Sequence, residues 1–164
     1  MDSRDFRPFG KVSALTLGGG GIGNVWGETS REESIASVHL ALDSGIDHLD
    51  VAPMYGKGEA ERVVGEAIKD RDRDSFRLTT KCALGSLPDE EVYDRFNTSL
   101  IRSLDTMGTD YVDLFLLHSQ LVENDHESQK PDSSFVAKGN LTNLKSFYDA
   151  VVPAMESLKK EGKI

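Results

Sequence analysis

Most of what would tie this chain to a membrane, a nucleic acid or an oxidising compartment is scarce in it. It has one cysteine, Cys82, so no internal disulfide can form, and a reducing compartment fits. Lysine and arginine number 19 against 28 acidic residues, a formal net charge of −9. No basic stripe offsets that balance, which argues against nucleic acid or an anionic membrane surface as partner. No apolar run approaches the ~20 residues that a membrane helix needs. The first residues, MDSRDFRPFGK, are charged and lack the apolar stretch of a secretory signal. No internal repeat stands out beyond an alternation of strand and helix patterns. These absences leave a soluble, cytoplasmic protein as the expectation.

What is present suits one globular unit. The 164 residues are the length of a single domain, 1–164, and can bury a sizeable core. Hydrophobic residues make up 38% and charged residues 29%, a globular rather than a disordered balance.

The chain is organised around Gly45 to Gly65, GIDHLDVAPMYGKGEAERVVG. It reads as a buried strand over Ile46 to Val51, a polar loop, and a helix from about Glu59. Ala60, Val63, Val64, Ala67 and Ile68 recur with helical spacing. Upstream, Phe6 to Phe9 and Val12 to Leu17 read as two arms around Gly10-Lys11, leading into a first buried strand. Gly18 to Gly21 follow. Ser30 and Glu33 form a capping box for a helix whose inner face would carry Ile35, Val38 and Leu42. Gly45 would end that helix in the left-handed conformation.

Downstream, Phe76 to Thr80 reads as a strand. Ser86 and Asp89, with Pro88 between them, would open a helix carrying Val92, Phe96, Leu100 and Leu104 on one face. Gly108 closes it. The apolar run Tyr111 to Leu117 reads as a parallel strand covered on both faces. Residues 121–144 read as a long polar loop, and a last helix runs from about Tyr148 to Lys160. Strand and helix thus alternate as β-α-β-α-β-α-β-loop-α, the pattern of a parallel sheet with right-handed crossovers.

In such sheets ligands gather at the carboxyl ends of the strands. Asp50, Tyr55, Lys81 and His118 all fall there. A tyrosine ionises near pH 10, and a neighbouring ammonium favours the phenolate. Tyr55 beside Lys81 would therefore serve as a general acid. Asp50 would hold Lys81 charged and aimed, and His118 would donate a hydrogen bond to a substrate oxygen. Taken singly, each has an ordinary reading: a strand-end cap, a packed loop tyrosine, a solvated lysine, a satisfied core histidine. The shared position on successive strands favours the joint reading. His39 and His126 read as surface residues and His48 as structural. Cys82 has no base placed for it by the sequence.

Gly18, Gly20 and Gly23 match the G-x-G-x-x-G dinucleotide pattern. In that pattern the helix opens at the glycines, whereas here the capping box lies seven residues beyond Gly23. The glycines are expected instead to let the chain turn tightly over the first strand and to leave room for a ligand.

On these residues the sequence resembles the aldo-keto reductases. The passage from Gly45 to Ala52, with Tyr55-Gly56, Glu61 and Gly65, is similar to the family's first motif. Leu104-Asp105, Gly108 to Leu114 and His118 are similar to its second, and Thr80-Lys81 to its lysine strand end. The resemblance implies a parallel (βα)8 TIM-type barrel and NADPH-dependent reduction of an aldehyde or ketone to an alcohol, or the reverse. It implies a catalytic tetrad of Asp50, Tyr55, Lys81 and His118, with no metal. Val51 stands where the family usually has a small polar residue.

Such a barrel takes ~250 residues. The chain is therefore expected to be an N-terminal (βα)4 half-barrel, truncated and inactive alone. From this half only Gly23, Asn24 and Asp50 would touch the cofactor. Open sheet edges would promote self-association. The alternatives are a non-catalytic subunit of the same fold that senses nucleotide or binds a partner, and an unrelated (βα)n fragment such as half of an isomerase.

Overall fold

The computed structural model describes residues 1–85, 87–123 and 140–164. They form two compact units, Met1–Thr80 with Ser103–Leu114, and Lys81–Arg102 with Phe115–Ile164.

The first unit opens with an antiparallel hairpin, β1 (Ser3–Asp5) and β2 (Lys11–Ser13). Its first arm lies before the residues expected from the sequence. Phe6 to Gly10 make the turn instead: the Phe6 N–H donates to the Gly10 carbonyl and the Phe9 N–H to the Phe6 carbonyl, both at 2.7 Å. Pro8 has no N–H to give to a ladder, which keeps this stretch out of a strand.

Then come β3 (Leu17–Gly18), a helical turn α1 (Gly19–Ile22), helix α2 (Arg31–Asp43), β4 (His48–Asp50) and α3 (Glu59–Ile68). The capping box forms as expected: the Glu33 N–H donates to Ser30 Oγ at 3.2 Å and the Ser30 N–H to Glu33 Oε2 at 3.1 Å. The inner face of α2 is centred on Ser34, Val38 and Ala41, with Ile35 and Leu42 half-buried at its margins. Gly45 ends the helix at φ +86°. On α3 all five expected apolar residues are buried. Gly65 on α3 is a point of close approach, because a Cβ there would lie 2.7 Å from the Thr106 carbonyl oxygen.

Strand β5 (Arg77–Cys82) begins in the first unit and ends in the second. Helix α4 (Val92–Met107) follows a 3-10 turn at Asp89–Glu91 and buries Val92, Phe96, Leu100 and Leu104. Ser86, expected to cap this helix, lies outside the described residues. Strand β6 is only Leu114–Leu117. Its start is displaced from Tyr111 because the Asp113 carboxylate, not a backbone carbonyl, accepts the Leu78 N–H at 2.9 Å. It is also not covered on both faces as expected: Phe115 is buried, but Leu116 is 37% exposed.

The four strands form one sheet in the order β3-β4-β5-β6. β3 pairs with β4, and β4 with β5, in parallel. The order follows the sequence without reversal. A dinucleotide-binding sheet of the G-x-G-x-x-G type has a switch in strand order at its ligand crevice, so the glycine pattern does not mark that fold here.

In the second unit Phe96 meets Phe115 edge to face, with ring centroids 5.5 Å apart. The stretch expected as a loop holds a parallel pair, β7 (Gln120–Val122) and β8 (Leu141–Asn143). Residues 124–139, with His126, lie outside the described residues. The last helical segment starts before Tyr148, at α5 (Leu144–Ser146), because the Asn143 side chain caps it by accepting the Ser146 N–H at 2.8 Å. A π-helical turn over Phe147–Val151 leads into α6 (Val152–Lys160). Pro153 explains the wide turn, since it offers no N–H to the carbonyl four residues back and its ring crowds that carbonyl. Among the described residues no helix is long and apolar enough to cross a membrane.

Candidate active site

Asp50 is the last residue of β4, in register with Gly18 on one side and Thr79 on the other. Beyond it the Val51 N–H continues the ladder to the Thr79 carbonyl at 3.0 Å, and the chain then turns, the Tyr55 N–H donating to the Ala52 carbonyl at 3.0 Å. Asp50 and Tyr55 are both half-buried. The loop that carries Tyr55 is tight. Gly56, Lys57 and Gly58 all have positive φ. A Cβ on Gly56 would lie 1.9 Å from the Gly23 carbonyl oxygen, so no other residue fits.

The glycine run packs against the same two residues. A Cβ on Gly19 would lie 2.8 Å from Val51 Cγ1, 3.1 Å from the Asp50 carbonyl oxygen and 3.2 Å from the Tyr55 ring. At Gly23 it would meet the Gly19 carbonyl, Ala60 and the Tyr55 backbone, and at Gly20 the Trp26 indole. The room expected for a ligand at Gly20 and Gly23 is thus taken by the chain itself, because α1 must lie close against the Tyr55 loop. Gly18 and Gly21 do face open space. Asn24 adopts φ +59°, and its Oδ1 accepts the Thr29 N–H at 2.6 Å.

Lys81 and His118 belong to the second unit. Lys81 is the penultimate residue of β5 and only 7% exposed, which sets aside the reading of a solvated lysine. His118 directly follows β6, and its N–H donates to the Cys82 carbonyl at 2.8 Å. The His118 carbonyl accepts from the Asn140 side-chain amide, and Asn140 Oδ1 accepts the Ser119 hydroxyl at 2.7 Å. Sequence reasoning missed Asn140: nothing in a polar stretch distinguishes the one amide that folds back onto a strand end.

His48 bridges two threonines, with Nδ1 3.1 Å from Thr16 Oγ1 and Nε2 2.6 Å from Thr79 Oγ1. Burial pushes its pKa down, against the pull of Asp50, Asp47 and Asp113. Burial pushes the Cys82 thiol up, and the side chain is buried. His39 is not a plain surface residue. It is half-buried, its Nδ1 lies 3.1 Å from Arg71, and it lines a cavity of about 440 Å³ with Ile35, Glu66 and Arg71 among its walls. Arg71 is also paired with Asp43 at 2.8 Å, which holds the guanidinium beside the imidazole nitrogen.

Residues 14–164 match the model of the aldo/keto reductase family. The chain is 38% identical over 115 residues to aldo-keto reductase YhdN of Bacillus subtilis, covering 66% of this chain and 34% of that protein. It is 29% identical over 155 residues to L-galactose dehydrogenase of Arabidopsis thaliana, covering 93% of this chain and 43% of that one. The structure of an aldo-keto reductase from Klebsiella pneumoniae in complex with NADPH superposes with a TM-score of 0.68 at 29% identity, over 100% of this chain and 48% of the other. The chain spans less than half the length of each of these relatives.

Proposed function

The chain belongs to the aldo/keto reductase family, with its α/β fold of the TIM-barrel type, and from that premise we propose that it forms the N-terminal (βα)4 half of a barrel that reduces an aldehyde or ketone with NADPH. The observation that carries this reading is positional. Asp50 ends β4, Lys81 lies one residue from the end of β5, and His118 follows β6, with Tyr55 in the loop after Asp50. Ligand chemistry in parallel barrels gathers at those strand ends.

In this mechanism the Tyr55 hydroxyl gives its proton to the carbonyl oxygen. His118 donates a hydrogen bond that orients that oxygen, and Lys81 and Asp50 support the proton donor from their strand ends. NADPH, when bound, supplies the hydride to the carbonyl carbon. The residues present fit one edge of such a cofactor. Asn24 has its Nδ2 donors to offer since Oδ1 accepts the Thr29 N–H, and Asp50 is half-buried at the strand end, whereas Gly23 is closely packed against Gly19, Tyr55 and Ala60 and leaves no room beside it. The rest of the cofactor contacts would come from the other half of the barrel, so these 164 residues alone are expected to be inactive. The outer strands, β3 and β6, are where a second chain would pair.

A fluorescence titration with NADPH, with circular dichroism to confirm folding, tests this reading. Saturable binding is expected once a complementary half is supplied, by a second copy or by the C-terminal half of a relative. A folded chain that binds no NADPH under either condition contradicts it.

A further inference from the structure

Glu61 is a buried carboxylate that the proposed chemistry leaves unused. It sits in the first turn of α3 and is 3% exposed. Burying a charge is costly unless it is paired or hydrogen-bonded. The Thr80 hydroxyl donates to Glu61 Oε1 at 2.7 Å, within the core.

Side chains alternate along β5. Thr80 therefore shares a face with Leu78, while Thr79 and Lys81 share the other, where the Thr79 hydroxyl meets His48. Glu61 thus grips the strand from the helix side, at the residue immediately before Lys81. The start of α3 is tied to the Tyr55 loop as well: the Ala60 N–H donates to the Tyr55 carbonyl at 3.3 Å and the Glu59 N–H to the Gly56 carbonyl at 3.2 Å. An apolar pair of the same shape would fill the space at little cost in stability. What such a pair would lack is the directional bond.

We propose that Glu61 is a positioning residue: through its hydrogen bond to Thr80 it fixes the stretch of β5 that leads into Lys81 to the start of α3. The inference rests on Lys81 and Tyr55 being the catalytic groups, but its test needs neither cofactor nor substrate, so the NADPH titration decides the catalytic reading separately.

The test compares the wild-type chain with Glu61→Gln and with the double variant Glu61→Met/Thr80→Val, in thermal melting, amide hydrogen exchange along β5, and acetylation of Lys81 followed by mass spectrometry against the other lysines. The double variant is expected to melt within about 5 °C of wild type. Protection at the Lys81 and Cys82 amides should nonetheless fall at least ~10-fold while that at Leu78 holds, and Lys81 should acetylate faster. Glu61→Gln, which keeps the acceptor oxygen, should restore both readouts. Wild-type exchange and acetylation at Lys81 in a well-folded double variant would overturn the proposal, as would a uniform loss of protection that merely follows melting. Should the double variant fail to fold, Thr80→Ser and Thr80→Ala decide. A selective change at Lys81 in the alanine variant alone supports the proposal, and equal behaviour of the two overturns it.

Discussion

Arg73 Nη2 lies 2.6 Å from Asp113 Oδ2, and the same carboxylate oxygen accepts the Leu78 N–H at 2.9 Å. The guanidinium also lies 3.9 Å from the centroid of the Tyr111 ring and donates to the Phe76 and Tyr111 carbonyls. One cation thereby satisfies the backbone on both sides of the approach to β6, and the carboxylate it holds replaces a ladder bond to β5.

Arg73→Ala should therefore cost about 2–3 kcal/mol, since it leaves a mostly buried carboxylate and two carbonyls without this donor. Asp113→Leu should cost a similar amount by orphaning the Leu78 N–H. Urea unfolding followed by circular dichroism measures both. A change below about 0.5 kcal/mol, the size of an ordinary surface substitution, would show that the cluster is decorative.

A contrast between two glycines tests the close packing around Tyr55. Gly56→Ala combines a positive φ with a clash against the Gly23 carbonyl, and should cost at least about 2 kcal/mol. Gly21→Ala meets nothing within 4 Å and should change stability by less than about 0.5 kcal/mol. Equal effects on the melting midpoint would contradict this account of the glycine run.

Stability should fall in mild acid because of His48. Burial holds its folded pKa below the ordinary value of about 6.5. Above that value the imidazole is neutral in both states and contributes no pH dependence. As the pH drops below it, the unfolded chain takes up the proton first, so stability falls until the folded value is passed. His48→Gln should flatten the pH dependence over that interval. An unchanged slope in this variant would assign the acid sensitivity to other groups.

Self-association follows from the proposed half-barrel. Gel filtration should show a dimer or larger species at micromolar concentration, and Leu116→Lys on the outer strand β6 should shift it towards monomer, because a charge on an exposed edge blocks strand addition. A compact monomer in both cases would remove the edge-pairing part of the proposal.

The elements that sequence reasoning read well are those whose local chemistry and burial pattern agree. Ser30 and Glu33 cap α2, and the α3 and α4 stripes are buried at the expected positions, because a helix on a sheet can hide only one face. The misreadings occurred where a single side chain overrides the pattern. Asp113 shortens β6, Asn143 starts the last helix early, Pro8 turns an apolar run into a hairpin tip, and Trp26 fills the space left by Gly20. Of the candidate site, the strand-end placement of Asp50, Lys81 and His118 was legible from the order of strand patterns. The supports at Glu61 and Asn140 were not, since each depends on a partner distant in sequence.

The most direct test of the central claim is NADPH-dependent reduction of a panel of aldehydes and ketones, with the C-terminal half of a relative supplied, comparing the wild-type chain with Tyr55→Phe. Loss of the general acid should lower kcat by ~10²–10⁴-fold, with NADPH affinity unchanged. Turnover that survives Tyr55→Phe would contradict the assignment of the proton donor and, with it, the proposed chemistry.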